Sequence, residues 1–345
     1  MLTCTLNAVL LLLTGSALAQ DFETTYRDYS LQATRDIDRA GKLELSFTVL
    51  QVPDMHYTGN SNYSCRGPPH EPCREANMTD FIGRLIDSVQ PGLVVFTGDQ
   101  VEDTEIEHTA EEVKFAIDSY AHQAISRQTP WAMVFGNHDE GKSYSRQQML
   151  SYITSLPYAY SQSGPLNIGG TGNYELNVTS AGGKSAFRMY FLDTGVKGAI
   201  SNRQNVYLRQ RADANKPEKL AAILFYHSPI PEYVLGKEDK VLCGHQGEKV
   251  SYGPQSGLMD TIVAMGDVKA TFVGHDHYND YCVLRRGIQL CYGGGVGYAY
   301  GDPKLPRSAR VIQWKRNSTA EVITTWKQAD GDFAKYEFTL YSRSL

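Results

Sequence analysis

The sequence has no long apolar segment beyond its N-terminus and no excess of positive charge. After residue 19, no stretch approaches the ~18 consecutive apolar residues that a membrane-spanning helix needs, so we expect no membrane span. With 33 basic and 38 acidic residues the net charge is −5, and we expect no nucleic-acid-binding surface. A negatively charged substrate would therefore need a local positive centre, such as a bound metal ion.

The sequence also lacks internal repeats and low-complexity linkers that would divide it into parts. Its 345 residues are 41% hydrophobic and 21% charged, which is typical of a folded domain and excludes general disorder. We predict a signal peptide over residues 1–19, an N-terminal extension over residues 20–44 and a single domain over residues 45–345.

The first 19 residues have the pattern of a secretory signal peptide. An apolar run at residues 8–13 precedes the small-x-small site Ala17-Leu18-Ala19, although no Lys or Arg lies before the run. The alternative is a buried N-terminal helix. We expect secretion to the extracellular space or delivery to a compartment of the secretory pathway, such as the vacuole. Four N-glycosylation sequons agree with this expectation: Asn62, Asn77, Asn177 and Asn317.

The cysteines lack the C-x-x-C spacing of a zinc site built on thiolates. Cleavage of the signal peptide would leave five of the six, and an odd number leaves at least one outside an internal disulfide. Cys65 and Cys73 share one loop, while Cys282 and Cys291 flank a predicted hairpin that turns near Gly287. Disulfides at both places are expected in an oxidising compartment, with Cys243 left over.

Apolar strand patterns alternate with amphipathic helix patterns in the first half of the chain. Strands are predicted at residues 45–52, 93–97 and 131–135, with one helix capped by Thr79 and another by the capping box Thr109-x-x-Glu112. This β-α-β-α-β order predicts a parallel sheet. Later segments are richer in strands, so we expect two mixed sheets packed face to face with helices outside. The later strands are predicted at residues 174–178, 187–192, 222–226, 270–273, 309–314 and 320–326.

Five polar clusters follow the predicted strands at the points where the strands end. Ligands of open α/β sheets bind outside the carboxyl ends of the strands, so these clusters should meet at one rim. Five of the nine histidines of the chain belong to them. The clusters are Asp54-Met-His56, Gly98-Asp99, Gly136-Asn-His-Asp139, His227 and Gly274-His-Asp-His277.

Imidazole and carboxylate groups in this number indicate a site for two divalent or mixed-valence metal ions, with iron, zinc and manganese as the candidates. Asp99 can bridge the two metals. Asp54, His56 and either His275 or His277 can complete one metal. Asn137, His227 and the other of these two histidines can complete the second. Such a site can hold a metal-bridging hydroxide that attacks phosphorus.

Each cluster taken alone is weak evidence, and one of them has a competing interpretation. The segment from Gly136 to Ser143 matches the phosphate-binding pattern G-x-x-x-x-G-K-S of nucleotide hydrolases. Acidic residues inside that segment would face the phosphate of such a loop, and the nucleotide hypothesis leaves the other four clusters unexplained. We therefore favour the metal site.

The order D-x-H, GD, GNH-D/E, H, GHxH resembles the calcineurin-like metallophosphoesterase superfamily over residues 45–297. The segments at residues 274–282 and 287–295 are similar to the secreted, purple-acid-phosphatase-like phosphoesterases of plants and fungi. The resemblance implies an α/β fold, a four-layer α/β/β/α sandwich of two mixed sheets. It implies that one metal is held by Asp54, His56, Asp99 and His277, and the other by Asp99, Asn137, His227 and His275.

The resemblance also implies a phosphate-ester substrate and a catalytic role for His138 at the transferring group or the leaving oxygen. We expect a phosphomonoesterase of the acid-phosphatase type. The alternatives are a phosphodiesterase of the same fold and a catalytically inactive metal-binding protein. Because related serine/threonine phosphatases orient the catalytic histidine with an acidic residue, we hypothesise that Glu102 orients His138. Otherwise Glu102 belongs to a solvated acidic loop.

We predict that the pure, metal-loaded protein is colourless. Purple acid phosphatases carry D-x-G first and GDxxY second, and their tyrosine binds ferric iron. Here Asp54-Met-His56 comes first and Glu102 stands where the tyrosine would be, so no tyrosinate-to-iron band can form. An absorption spectrum of the purified protein checks this, and a band in the purple region would refute it.

Overall fold

The computed structural model describes residues 30–38, 40–60, 74–102, 107–241, 243–297, 307–329 and 335–345. The predicted signal peptide, Asn62 and the predicted Cys65–Cys73 pair lie outside them. The strands are β1 (Leu31–Gln32), β2 (Thr34–Ile37), β3 (Leu43–Val52), β4 (Leu93–Thr97), β5 (Trp131–Val134), β6 (Tyr174–Thr179), β7 (Ser185–Phe191), β8 (Ala222–Phe225), β9 (Val268–Val273), β10 (Cys282–Arg285), β11 (Ile288–Tyr292), β12 (Ser308–Arg316), β13 (Ala320–Ala329) and β14 (Lys335–Ser344). The helices are α1 (Glu75–Val89), α2 (Ala110–Ser126), α3 (Arg146–Ile153), α4 (Asn202–Asn215) and α5 (Leu258–Met265).

The strands form two mixed sheets. The first has the order β1-β6-β7-β8-β9-β11-β10, and the second has the order β14-β13-β12-β3-β4-β5, with β2 paired to β3. Within the second sheet β3, β4 and β5 are parallel, as the predicted β-α-β-α-β order requires. None of the described helices is long and apolar enough to cross a membrane.

Three apolar clusters define the layers of the fold. One lies between the two sheets and joins residues such as Val95 of β4 to Phe225 of β8. A second packs α1, α2 and α3 on the outer face of the second sheet, and a third packs α4 and α5 on the outer face of the first. The predicted four-layer α/β/β/α sandwich is therefore confirmed.

Local capping explains where the first two helices begin. Helix α2 starts after Thr109, whose hydroxyl accepts a hydrogen bond from the backbone N–H of Glu112 at 3.2 Å, as predicted. Helix α1 begins at Glu75 rather than after Thr79, so that predicted cap is wrong. The carboxamide of Asn77 accepts a hydrogen bond from the backbone N–H of Arg74 at 2.8 Å, which adds a turn before Thr79.

Strand pairing extends into the predicted N-terminal extension. Strand β1 pairs with β6 and strand β2 pairs with β3, so residues upstream of position 45 belong to both sheets. Strands β10 and β11 form the predicted hairpin, in which Cys282 and Cys291 lie opposite each other and are joined by a disulfide. Cys243 is a buried free cysteine.

We predict that Phe225→Ala destabilises the protein by about 3–5 kcal/mol, because it opens a cavity between the two sheets. Phe225 is fully buried, and its ring stacks on those of Phe191 and Phe272 at 5.4 and 5.5 Å. The control is Phe115→Ala on α2, which removes the same atoms from a side chain that is 50% exposed and should change stability by under about 0.5 kcal/mol. Denaturant unfolding measures both variants, and equal losses would contradict the inter-sheet packing.

Candidate metal centre

The five polar clusters meet at one rim, because each follows the carboxyl end of a strand. Strands β3, β4 and β5 deliver their clusters from the second sheet, and strands β8 and β9 deliver theirs from the first. The structure brings together every residue that the sequence predicts for this site: Asp54, His56, Asp99, Asn137, His138, His227, His275 and His277.

The first group of donor atoms comes from Asp54, His56, Asp99 and His277. One ligand atom of each residue lies within 4.8 Å of the others. The Nε2 atoms of His56 and His277 are 3.2 Å apart. The Nε2 atom of His277 is 3.7 Å from Asp54 Oδ1, and that of His56 is 3.8 Å from Asp99 Oδ2. Four donors from three separate segments of the chain thus surround one point.

The second group comes from Asp99, His227 and His275, whose ligand atoms also lie within 4.8 Å of one another. The Nε2 atom of His227 is 3.1 Å from Asp99 Oδ2 and 3.2 Å from His275 Nδ1. Asn137 adds a neutral oxygen, since its Oδ1 lies 3.1 Å from His227 Nε2. Asp99 therefore belongs to both groups.

Hydrogen bonds behind the imidazoles fix which nitrogen faces the centre. The Nδ1 atom of His227 lies 2.9 Å from the carbonyl oxygen of Thr97, and the Nδ1 atom of His56 lies 2.7 Å from Glu102 Oε2. An imidazole that donates through Nδ1 presents Nε2 to a metal, and such outer contacts orient metal ligands in proteins.

Glu102 contacts His138 as well, and it is buried. Its second oxygen, Oε1, lies 2.9 Å from Nδ1 of His138. Glu102 is 1% exposed, so the solvated-loop interpretation is wrong for this residue. The structure places Glu102 where it can orient His138, as hypothesised, and the same carboxylate also holds His56.

The donor set fits divalent metal ions. Asp54 Oδ2 is buried and has no hydrogen-bond partner within the described ranges, although carboxylate oxygens in that environment are normally paired. Two pairs of imidazole nitrogens face each other at 3.2 Å, an arrangement that a shared cation would stabilise. Nitrogen and oxygen donors of this kind suit zinc, iron and manganese.

Burial is the main cause of the pKa shifts of Asp54, His275 and His277. It raises the pKa of Asp54 to about 7, against the opposing charge of His227. It lowers the pKa of His275 to about 4, helped by the charge of His227, and lowers the pKa of His277 well below its usual range. Both histidines are therefore neutral near pH 7, as metal ligands must be.

For Asp99 and His138, neighbouring groups shift the pKa in the direction opposite to burial. Burial alone would raise the pKa of Asp99, but the adjacent His227 and His56 hold it well below its usual range. Burial would lower the pKa of His138, but the hydrogen bond with Glu102 and the charge of Asp99 raise it to about 9. A carboxylate and a protonated imidazole therefore lie side by side.

The backbone at the rim is strained. Asp54, His56, Asp99 and His275 have positive φ angles of 52°, 51°, 50° and 76°. Residues with a side chain rarely adopt this left-handed conformation, and it is enriched at functional sites. It turns the chain sharply after each strand, so that side chains from separate loops point to one place. Gly136 permits a close approach, because a Cβ atom there would overlap the carboxylate of Asp99.

Asp139 has a role that its place in the Gly136-Asn-His-Asp139 cluster did not reveal. Its Oδ2 accepts hydrogen bonds from the backbone N–H groups of Asp99 and Gly136 at 3.0 and 2.7 Å, and its Oδ1 accepts one from Val101 at 2.8 Å. This buried carboxylate therefore holds the loops after β4 and β5 together. No spacing rule in the sequence indicates this contact.

The same contacts exclude the nucleotide-binding interpretation. A phosphate-binding loop needs its backbone N–H groups and its lysine to face the ligand. Here the N–H of Gly136 is bound by Asp139, while the side chain of Lys142 is 87% exposed and pairs with Glu107.

Comparison with known proteins gives a consistent assignment. A family model described as calcineurin-like phosphoesterase matches residues 47–279. The chain is 32% identical over 324 residues to "Probable inactive purple acid phosphatase 29" of Arabidopsis thaliana, with 82% of each chain covered. It is 30% identical over 350 residues to "Phosphatase DCR2" of Saccharomyces cerevisiae, which covers 90% of this chain and 59% of that protein.

Among solved structures, a dimetal phosphatase from Danio rerio has the same fold. The match has a TM-score of 0.53 at 14% identity and covers 85% of this chain and 98% of that one. The family model spans more than half of the present chain, including all the residues of the two donor groups. The chain therefore belongs to the calcineurin-like phosphoesterase family, and this membership assigns it to the hydrolases that act on phosphate esters.

Proposed function

We propose that this protein is a secreted phosphomonoesterase of the acid-phosphatase type that depends on a dinuclear metal centre. The observation that carries the proposal is the position of Asp99. Its carboxylate is common to two groups of donor atoms, as a ligand that bridges two metals must be. Every position of the ligand pattern carries a side chain able to bind a metal.

We assign the first metal to Asp54, His56, Asp99 and His277. The second is assigned to Asp99, Asn137, His227 and His275. When bound, two divalent ions supply the positive charge that polarises a phosphoryl oxygen and acidifies a water molecule for attack on phosphorus. Iron, zinc and manganese all suit this donor set.

The part of the chemistry that we assign to the chain itself is proton transfer by His138. Its Nδ1 is engaged by Glu102 at 2.9 Å, so we assign the proton donor to Nε2. Its raised pKa keeps the ring protonated at neutral and mildly acidic pH. A charged imidazole can stabilise the transferring group and donate a proton to the leaving oxygen. The side chain is 22% exposed, so a substrate can reach it.

Secretion is supported by the N-terminal sequence, the glycosylation sequons and the disulfide between Cys282 and Cys291. Disulfides persist in oxidising compartments and are rare in the cytosol. We therefore propose the extracellular space or the secretory pathway as the location.

Two alternatives are kept. A phosphodiesterase would use the same two groups of donors. A catalytically inactive metal-binding protein is suggested by the word "inactive" in the name of the Arabidopsis relative. The first experiment below separates all three.

We predict that the metal-loaded protein hydrolyses a chromogenic phosphate monoester. Asp99→Asn should lower the rate more than about 100-fold, because losing a metal ligand should cost more than losing a residue that only orients a ligand, for which about 100-fold is the usual upper limit. The substitution keeps the shape of the side chain but removes the charge shared by both donor groups. Initial rates on the monoester and on its diester are measured side by side, with Lys142→Ala as a control that should keep full activity.

The outcomes distinguish the candidates directly. Turnover of the diester alone would replace the proposal with a phosphodiesterase. Two bound metals without turnover of either ester would favour a protein that only binds metal.

We predict that His138→Ala lowers kcat by about 10²–10⁴-fold and leaves both metals bound, because His138 supplies a proton rather than a ligand. Metal content, measured by elemental analysis of the same preparation, is compared with the rate. If the variant lost a metal along with its activity, His138 would be a ligand and the assigned role would be wrong.

A further inference from the structure

The segment that follows β9 supplies one histidine to each group of donor atoms, and a single residue lies between them. His275 belongs to the second group and His277 to the first, with Asp276 in the middle. The backbone N–H of Asp276 donates to the carbonyl oxygen of Gly274 at 3.0 Å, which closes a turn around His275. The carbonyl oxygen of Asp276 accepts a hydrogen bond from the N–H of Asn279 at 3.2 Å, which closes a second turn that contains His277. Asp276 is therefore the common corner of two turns, and each turn carries one predicted metal ligand.

The turn around His275 is strained, so contacts from outside must hold it. A hydrogen bond that spans only three residues, together with a φ of 76° at the central residue, is typical of the rare classic γ-turn. Strained backbone of this kind persists only where the surrounding structure fixes it. The N–H of His275 donates to Oδ1 of Asp54 at 2.8 Å, which fixes the middle of the turn. The end of the turn is Asp276, and the contacts of its side chain fix that end.

Two donors from other parts of the chain anchor the buried side chain of Asp276. Its Oδ2 accepts a hydrogen bond from the hydroxyl of Tyr292 at 2.6 Å. Both of its carboxylate oxygens lie 3.2 Å from the backbone nitrogen of Ser251, whose N–H donates to them. The hydroxyl of Tyr292 is the shorter of these contacts, and a substitution can remove it without changing the backbone.

Tyr292 is itself held firmly at the carboxyl end of β11, where it is fully buried. It lies opposite Val273 of β9 in parallel register. Its carbonyl oxygen accepts a hydrogen bond from Nε of Arg310 at 2.7 Å, and its N–H donates to the carbonyl oxygen of Tyr281 at 3.0 Å. Its ring packs on the rings of Tyr233 and Tyr281, with the centroids 5.0 Å apart in both pairs. These contacts fix the backbone and the ring, so the hydroxyl has a defined position.

We propose that Tyr292 is a positioning residue that fixes both His275 and His277 through the carboxylate of Asp276. One hydrogen bond then sets the geometry of both metal sites. The inference rests on the dinuclear centre of the proposed function, in which these two histidines belong to different metals. Tyr292 is not among the assigned ligands, and residues that orient metal ligands typically change metal affinity by about 10–100-fold when they are removed.

The test measures the two dissociation constants for Zn²⁺ by competition with a chelator, in the full-length protein stripped of metal and then titrated. The wild type is compared with Tyr292→Phe and with the control Tyr190→Phe. The control is matched because Tyr190 is also fully buried and its hydroxyl donates to Oδ2 of Asp267 at 2.7 Å. Asp267 precedes β9, whereas Asp276 follows it. Since β9 has six residues, the two contacts are about 20 Å apart at ~3.3 Å per residue.

We expect both Zn²⁺ dissociation constants to rise about tenfold in Tyr292→Phe. This is the lower end of the range for a residue that orients metal ligands, because Tyr292 acts through Asp276. Tyr190→Phe should leave both constants unchanged. Unchanged constants in Tyr292→Phe would overturn the proposal, as would a rise in one constant alone or an equal rise in the control.

A spectroscopic measurement separates positioning from a general loss of stability. Co²⁺ binds to the same nitrogen and oxygen donors, and its visible absorption depends on the coordination geometry. With both sites saturated by Co²⁺, Tyr292→Phe should shift the absorption bands of the wild type, and Tyr190→Phe should not. Identical spectra in all three proteins would mean that Tyr292 does not position the histidines.

A double variant tests whether Tyr292 acts through Asp276. Asp276→Ala removes the carboxylate that links Tyr292 to the histidines, so adding Tyr292→Phe to it should cause no further loss of Zn²⁺ affinity. Additive losses would contradict the proposed route.

The same titration distinguishes failure of this inference from failure of the proposed function. A wild type that bound no Zn²⁺ would overturn the metal centre and the role of Tyr292 together. A wild type that bound two Zn²⁺ ions without hydrolysing either ester would count against the enzyme only, because the affinities do not depend on turnover.

Discussion

The carboxylate of Asp99 links the two sheets and both groups of donor atoms. Its Oδ2 lies 3.1 Å from Nε2 of His227, which follows a strand of the first sheet, while Asp99 itself follows a strand of the second. Its Oδ1 accepts a hydrogen bond from the backbone N–H of His138 at 2.8 Å. Its own N–H is held by Asp139. Displacement of this side chain would therefore disturb every part of the rim.

The electrostatics of the rim favour the binding of a cation. Asp54 and Asp99 are each 1% exposed, and burial of two carboxylates this close is unfavourable without compensating charge. Asp54 responds with a raised pKa, so without a cation it tends to take up a proton. Divalent ions would replace that proton. Glu102 couples this region to His138, because one carboxylate holds both His56 and His138. A substitution at Glu102 would thus affect metal affinity and proton transfer together.

Some features set by neighbouring residues could be predicted from the sequence, although the local cap of α1 was not, and features set by distant contacts could not. Helix α2 begins after Thr109 as predicted because its cap is formed within four residues. Strand β1 has two residues, and its partner in β6 lies about 147 positions away, with Leu31 opposite Val178, so no local pattern reveals it. The donor residues were found because each follows a strand. The role of Asp139 depends on two loops meeting. Aspartate is among the residues enriched in the left-handed region, but residue type alone does not show which aspartates adopt it, as Asp99 does.

The relation to a plant protein named "probable inactive" makes the separation of metal binding from catalysis important. The candidate metal ligands lie deep in the rim. A protein that bound metals only for stability would need these ligands and would not need His138. His138 is different, because its side chain is 22% exposed and so contributes little to the apolar core. Even so, the buried carboxylate of Glu102 fixes its orientation, and ordering a partly exposed side chain in this way costs conformational entropy. Packing of His138 does not offset that entropic cost, whereas a reaction that needs a correctly placed proton donor would make use of the fixed orientation. The arrangement around His138 therefore favours an enzyme over a metal-binding relic.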